Sequence, residues 1–193
     1  MSRNQRETPQ LKTITDFKSR LTGGGARPNL FEVELNFPSG VDNPKEEARF
    51  LVKAAALPSS TINPIEIPFR GRILKIAGDR TFDTWTITVM NDSSFKIRSA
   101  FEEWMNLINK LDNGTGTTDT SVYQQDATVR QLDRDGAELR KYTFKDIFPT
   151  NMSTIDLSYD TTDTIEEFTV EMQVHYWEAF VGTADNAGGK SIR

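Results

Sequence analysis

Cysteine is absent from this chain of 193 residues, and histidine occurs only once. The lack of cysteine excludes disulfide frameworks, thiolate metal sites and cysteine nucleophiles within the chain. His175 falls on the polar side of an alternating segment, and a metal site needs partner ligands at set spacings. We therefore interpret His175 as a surface or interface residue, and we expect neither a metal nor another cofactor.

Long apolar runs are also lacking. None approaches the roughly 18 residues that span a membrane, and the first ten residues are polar. These features predict a soluble protein that does not insert into membranes and is made inside a cell, or in a particle assembled there. The length suits one domain with tails, and a body of about 150 residues can bury roughly 70% of its surface.

The common catalytic signatures GxGxxG, GxxxxGK[ST] and GxSxG do not occur. Asp79 and Asp83 could form a carboxylate pair for glycoside hydrolysis, but an Asp-Arg pair after Gly78 is more typical of a backbone-capping turn. The DRDG segment at Asp133 begins like a calcium loop, yet its twelfth position is Phe144 instead of glutamate. We therefore predict that the protein is not an enzyme.

Acidic side chains outnumber basic ones in the central part of the chain. The net charge is −5; residues 1–26 hold five basic and two acidic side chains, and residues 178–193 hold two of each, so residues 27–177 carry −8. Proteins that grip the DNA backbone do so with clustered lysine and arginine. The acidic body therefore argues against such a grip, and we interpret the basic N-terminus as a solvated arm.

Alternation of apolar and polar residues predicts that most of the chain is β-strand. The predicted strands lie at 29–37, 49–57, 84–90, 127–144 (a hairpin that turns at Asp135-Gly136), 153–160 and 166–178, with a bend at 148–151. In the segment 153–160, Ile155, Leu157 and Tyr159 are predicted to face inward. Helical spacing predicts a short amphipathic helix at 13–21 and a long one at 93–111, with its N-cap between Asp92 and Ser94. This pattern indicates an antiparallel β-barrel or sandwich of two packed sheets with one flanking α-helix.

Residues 61–77 differ from the other strand-like segments because they contain Pro64 and Pro68. Proline donates no ladder hydrogen bond, so the run predicts a protruding hairpin arm with Arg70-Gly71-Arg72 at its tip. Exposed apolar edges invite pairing with another chain. The inter-subunit contacts predicted on the arm are Ile65, Ile67, Phe69, Arg70, Arg72 and Ile73, with Ile76 as a further apolar flank. We also predict that Asp79 and Arg80 form a turn that aims the arm at its neighbour.

Six segments together resemble one known family. They are ARPNLFEVE at 26–34, KAAALPSS at 53–60, AGDRTFDTWTITVMND at 77–92, ATVRQLDRDG at 127–136, FPTN at 148–151 and VHYWE at 174–178. In this order they resemble the tail tube proteins of contractile-tailed bacteriophages, over about residues 26–178. The block at 77–92 is the most distinctive of the six.

The resemblance implies a structural virion protein of the phage tail, assembled in the host cytoplasm. It implies a fold of two antiparallel sheets that close into a barrel with a flanking helix, shared with type VI secretion tubes. It also implies hexameric rings stacked into a tube through which the genome is ejected into the host. The implied partners are other copies of the chain, the tail sheath protein, baseplate and tail terminator proteins, a tape measure protein in the lumen, and double-stranded DNA that passes through without being specifically bound.

The domain organisation expected from this reading is a polar N-terminal arm at 1–26, a tail tube domain at 27–178 and a flexible C-terminal tail at 179–193. A baseplate tube-initiator paralogue is the alternative within the same class. A monomeric ligand-binding β-sandwich is the alternative from another class, and it needs an exposed aromatic platform. The aromatic residues here fall mostly on inward positions.

Overall fold

The computed structural model describes residues 13–21 and 25–181 of the chain. The helices are α1 (Ile14–Arg20), α2 (Lys45–Leu51), α3 (Lys96–Ile108) and α4 (Thr120–Tyr123), and the strands are β1 (Phe31–Leu35), β2 (Val52–Ala55), β3 (Ser60–Phe69), β4 (Arg72–Phe82), β5 (Trp85–Met90), β6 (Gln125–Leu132), β7 (Glu138–Met152), β8 (Glu167–Gln173) and β9 (Tyr176–Val181). No helix in these ranges has the length and hydropathy needed to cross a membrane. Of the flexible C-terminal tail predicted at 179–193, residues 179–181 belong to β9, and residues 182–193 lie outside the described part of the chain.

Seven strands form one hydrogen-bonded ladder in the order β1-β6-β7-β8-β5-β2, with β9 also pairing with β7, and every pairing between these strands is antiparallel. β7 belongs to two layers: its first part pairs with β6 and β9, whereas Phe148–Met152 pairs with β8. Near the end of the first part, where the pairing with β6 shifts register between Phe144 and Ile147, Asp146 takes a φ of 55°. The end strands β1 and β2 do not pair with each other in the described part of the chain, so the fold is a sandwich and not a closed barrel.

The core lies between the two layers. Alternate residues of β5, Trp85, Ile87 and Val89, are at most 2% exposed, as the sequence pattern predicts. The ring of Trp85 stacks on that of Phe144 in β7, with centroids 4.3 Å apart. These aromatic rings therefore join β5 of one layer to the shared strand of the other.

Helix α3 covers one side of this core, as predicted, but it is shorter than the segment 93–111. The rings of Phe101 and Trp104 lie 5.3 Å and 5.7 Å from Phe37, which follows β1. The helix has no side-chain N-cap from Asp92 to Ser94; its N-cap residue is Phe95, in the left-handed conformation with φ 54°. The predicted cap residues bond to each other instead, because the Ser94 hydroxyl donates to the Asp92 carboxylate.

Three further predictions about local structure were wrong. The predicted strand at 49–57 begins as helix α2 and becomes strand only at Val52. The segment 153–160 contains no strand, and Leu157 and Tyr159 are exposed instead of facing inward. The predicted strand at 166–178 is broken before Tyr176 into β8, which pairs with β5 and β7, and β9, which pairs with β7 alone and runs on to residue 181.

A chain of ion pairs crosses β1, β6 and β7 on the outer face. Arg130 donates to Glu34 at 2.9 Å and lies 3.3 Å from Glu138, and Lys45 lies 3.8 Å from Glu34. The hydrogen bond from Arg130 is the main reason that the pKa of the Glu34 carboxyl is below its ordinary value. Glu34 therefore stabilises the fold most when it is ionised.

Candidate assembly surface

The hairpin arm, formed by β3 and β4, is a two-stranded sheet separate from the main ladder. Its tip contains Arg70 with φ 45° and Gly71 with φ 80°, two consecutive positive values of the kind that a tight two-residue hairpin turn requires. The guanidinium of Arg70 lies 5.2 Å from the centre of the Phe69 ring. The predicted protruding hairpin with a tip at Arg70-Gly71-Arg72 is therefore confirmed.

One face of the arm is almost entirely apolar. Residues directly opposite each other in an antiparallel pair share a face. The register pairs Ile65 with Ile76, Ile67 with Leu74, and Phe69 with Arg72. The exposed fractions of Ile65, Ile67 and Phe69 are 52%, 42% and 66%. We call this surface, made by residues 65, 67, 69, 72, 74 and 76, the apolar face of the arm.

The opposite face is mixed in character. Glu66 and Lys75 are register partners there, and their side chains form an ion pair of 3.0 Å. Pro68 is the register partner of Ile73, whose side chain is 58% exposed. The two faces of the hairpin therefore differ in polarity, and only the apolar face carries a continuous hydrophobic stripe.

The root of the arm is fixed to the body by two indole groups. Trp85 Nε1 donates to the carbonyl oxygen of Ala56 at 2.9 Å, and Trp177 Nε1 donates to that of Ser59 at 3.2 Å. The Trp177 ring also lies edge-on to Phe82, the last residue of β4, with centroids 6.3 Å apart. Both strands of the hairpin therefore leave the body beside the same tryptophan.

A side-chain hydrogen bond links the two strands at the root of the arm. The Ser59 hydroxyl donates to the Asp83 carboxylate at 2.6 Å, just before β3 begins and just after β4 ends. This bond joins the two strands of the arm at their root.

Asp79 and Arg80 do not form the predicted turn. Both lie inside β4, where Arg80 pairs with Ile62, and β4 has one residue more than β3 before the register resumes at Pro64. Gly78 does not adopt a positive φ. Glycine is required there because a Cβ would lie 2.5 Å from the carbonyl oxygen of Asn63. Glycine therefore permits a close backbone approach at a β-bulge, and a two-residue link at 83–84 joins the arm to β5.

The structure brings the predicted contact residues together in one hairpin. Their positions follow from the register: Ile65, Ile67, Phe69 and Arg72 share the apolar face, Ile73 lies on the opposite face, and Arg70 lies in the turn. The sequence reasoning missed Leu74, although its two-residue spacing from Arg72 and Ile76 was a usable signal. It also missed the two tryptophans at the root, whose acceptors are remote in sequence.

Other candidate sites have structural roles. The DRDG segment forms the predicted hairpin turn, in which Gly136 N–H donates to the Asp133 carbonyl oxygen at 3.0 Å. His175 is exposed, as predicted, with its ring 5.6 Å from that of Tyr176. Within the described ranges, no group of three or more His, Cys, Asp or Glu side chains is arranged to hold a metal ion.

Comparisons with known proteins agree with this architecture. The chain is 35% identical to the tail tube protein gp19 of Enterobacteria phage T4 over 158 residues, which are 81% of this chain and 93% of that protein.

Solved structures that share the fold include two complexes of contractile systems. The sheath–tube complex of an extracellular contractile injection system matches with a TM-score of 0.62 and 12% identity, over 85% of this chain and 97% of the other.

The baseplate of the anti-feeding prophage matches with a TM-score of 0.61 and 14% identity, over 81% of this chain and 96% of the other. The family model described as phage tail tube protein matches residues 26–179, which include the whole arm and all nine strands up to the middle of β9. The chain therefore belongs to the phage tail tube protein family.

Proposed function

We propose that the chain forms hexameric rings that stack into the tail tube of a contractile phage, and that this tube conducts the genome into the host. The observation that carries the proposal is the apolar face of the arm, which is exposed on a hairpin whose root is fixed to the body. Burying such a stripe against another copy removes it from water at about 25 cal/mol per Å². In a single copy the apolar stripe stays in contact with water, so this stabilisation is not gained.

The geometry of the arm favours a closed ring. A hairpin of one copy that lies on a different surface of the next copy makes a head-to-tail contact, and such contacts generate rings when the rotation closes. We assign the inter-subunit contact to the arm residues Ile65, Ile67, Phe69, Arg70, Arg72 and Ile73, and to the exposed bulge residues Asp79 and Arg80.

The proposed role is structural, in the virion tail, without catalysis. The partners are the sheath and baseplate proteins, as in the injection-system and prophage complexes that share the fold, together with a tail terminator and a tape measure protein. DNA passes through the lumen without being specifically bound. The charge of −8 on residues 27–177 supports this, because an acidic wall gains nothing from counterion release.

Analytical ultracentrifugation of the purified chain over a wide concentration range tests the proposal. A tail tube protein sediments as hexamers and longer multiples of the hexamer. A monomer at every concentration contradicts the proposal and favours a ligand-binding β-sandwich. A single hexameric ring that never stacks indicates the baseplate tube-initiator role instead.

A further inference from the structure

Helix α1 exposes all its side chains. Its apolar residues Ile14 and Phe17 are 73% and 62% exposed, and Leu21, the C-cap residue that follows it, is 43% exposed; their spacing places them on one side. The N-terminus of the helix is capped, because Thr13 and Asp16 form a reciprocal capping box. An isolated helix shorter than about 12–15 residues is nonetheless marginal in water, and packing of the amphipathic face supplies most helical stability. The seven residues of α1 therefore need a surface to lie on.

The body offers an apolar groove of matching character, which we call the α3–β7 groove. It has a volume of about 530 Å³, within the roughly 300–1,000 Å³ of pockets that bury compact apolar ligands. Its walls are the C-terminal half of α3 and the last part of β7. The lining residues with apolar side chains are Met105, Ile108, Leu111, Phe148, Pro149 and Met152. Leu111 is 96% exposed, so one side of the groove has no cover.

We propose that α1 of one copy docks its Ile14–Phe17–Leu21 face into the α3–β7 groove of a neighbouring copy. This inference rests on the proposed tube function, because the two copies must lie side by side. The charges agree: the last turn of α1 carries Lys18 and Arg20, and the wall of the groove carries Glu102, which also pairs with Arg98 of its own copy at 3.0 Å. Residues 1–26 carry a net charge of +3 and residues 27–177 carry a net charge of −8, so the two parts of the chain attract each other electrostatically.

In a single copy, α1 does not occupy the groove. All side chains of α1 are exposed, and none of its residues is among those that line the groove. We therefore assign the groove of a neighbouring copy to α1.

Helix α1 lies outside the part of the chain that the family model matches, which begins at residue 26. The proposed docking is a contact between copies in addition to that of the arm.

The absence of cysteine from the chain permits a direct crosslinking test. One variant carries Lys18→Cys on α1, and a second carries Asn109→Cys in the wall of the groove. The two are mixed, allowed to assemble and oxidised mildly. We expect a disulfide-linked dimer on a non-reducing gel. The matched control replaces the second variant by Asp135→Cys, which lies at the exposed β6–β7 turn, and we expect only background crosslinking there.

Two substitutions on α1 separate docking from chance collision. Adding Phe17→Asp to the Lys18→Cys chain should lower the crosslinked fraction about tenfold or more, because a buried ring is replaced by a charge. Adding Ser19→Asp, on the opposite face of α1, should leave it unchanged.

Three results overturn the proposal. Normal tubes with no crosslinking above the Asp135→Cys control refute the docking and leave the tube function intact. A chain that carries both Lys18→Cys and Asn109→Cys and yields only an internal disulfide shows that α1 occupies its own groove. Failure of the wild-type chain to assemble at all refutes the tube function, and the docking with it.

Discussion

The indole of Trp177 donates a hydrogen bond of 3.2 Å to the carbonyl oxygen of Ser59, across 118 positions of sequence. This bond ties the last strand of the body to the root of the arm. In the proposed assembly the apolar face of the arm meets its partner at a defined angle, so we expect the direction of the hairpin to matter more for assembly than for the fold of one copy. We therefore propose that the contacts at the root, and not a turn at Asp79 and Arg80, set this direction.

Trp177→Phe keeps the aromatic packing and removes the hydrogen-bond donor. A hydrogen bond contributes about 1 kcal/mol, a small part of a total stability of about 5–15 kcal/mol. We expect the melting temperature of the monomer to fall by only about 2–4 °C, whereas tubes in electron micrographs become shorter or disappear. Trp104→Phe is the comparison, since its indole donates to Tyr123, far from the arm. Tubes of normal length from the Trp177 variant contradict this account of the root.

Ile67→Asp with Phe69→Asp tests the apolar face of the arm. Both side chains are exposed in the single copy, so the circular dichroism spectrum and the melting temperature should stay close to those of the wild type. Ring and tube formation should be lost, because burying two carboxylates without partners costs several kcal/mol each. The control is Glu66→Gln with Lys75→Gln on the opposite face, which should still assemble. Unfolding of the double Asp variant would show that the arm packs into the core of its own copy.

Asp79→Ala with Arg80→Ala tests the proposed contact at the bulge. The two side chains are exposed, so the substitutions should change the free energy of unfolding by no more than about 0.5 kcal/mol. Tube formation should nevertheless weaken, because the charges face the neighbouring copy in our assignment. Gly78→Ala should act differently: its Cβ would lie 2.5 Å from the Asn63 carbonyl oxygen, so it should distort the arm itself. Normal tubes from the double Ala variant would remove residues 79 and 80 from the interface.

Acid should destabilise the fold partly through Glu34. Its pKa is lowered in the folded state, mainly by the hydrogen bond from Arg130. Its contribution is therefore complete above the ordinary pKa of a glutamate, about 4.3, and is lost as the pH falls through the lower folded value. Glu34→Gln should reduce stability at pH 7 and make the decline between about pH 5 and 3 shallower, as measured by chemical denaturation at each pH. A decline as steep as that of the wild type would refute this role.

The lumen of the assembled tube should be acidic or neutral, without a basic stripe. The net charge of −8 on residues 27–177 is the basis of this expectation. Assembled tubes should therefore bind double-stranded DNA weakly, with little dependence on salt concentration. Strong binding that falls steeply as salt rises would indicate clustered phosphate contacts and contradict the prediction.

The sequence predicted those parts of the fold that local pattern determines. The alternation in β5 gave its buried face, and the two prolines with the Arg-Gly-Arg tip gave the hairpin arm. Arg49 was assigned to a strand because Phe50, Leu51 and Val52 form a short apolar run, which helix and strand share. Its helix is held by contacts that local pattern does not show, including the ion pair between Arg49 and Glu32.

The root of the arm could not be predicted for a related reason. Trp85 and Trp177 look like ordinary core residues in the sequence, and their acceptors, Ala56 and Ser59, are backbone carbonyl groups that any residue could supply. The bulge at Gly78 could not be predicted either. In the sequence, a glycine that allows two backbones to approach closely cannot be told from a glycine that forms a turn, because the strand register is not known. The contacts that fix the root join residues 29 and 118 positions apart, which local sequence pattern does not reveal.

A cryo-EM reconstruction of the self-assembled wild-type chain tests the central claim most directly. The account predicts a hollow tube of stacked six-membered rings, in which Ile65, Ile67 and Phe69 of each copy are covered by its neighbour. Particles that remain single copies would contradict it. So would tubes in which the apolar face of the arm stays exposed to solvent.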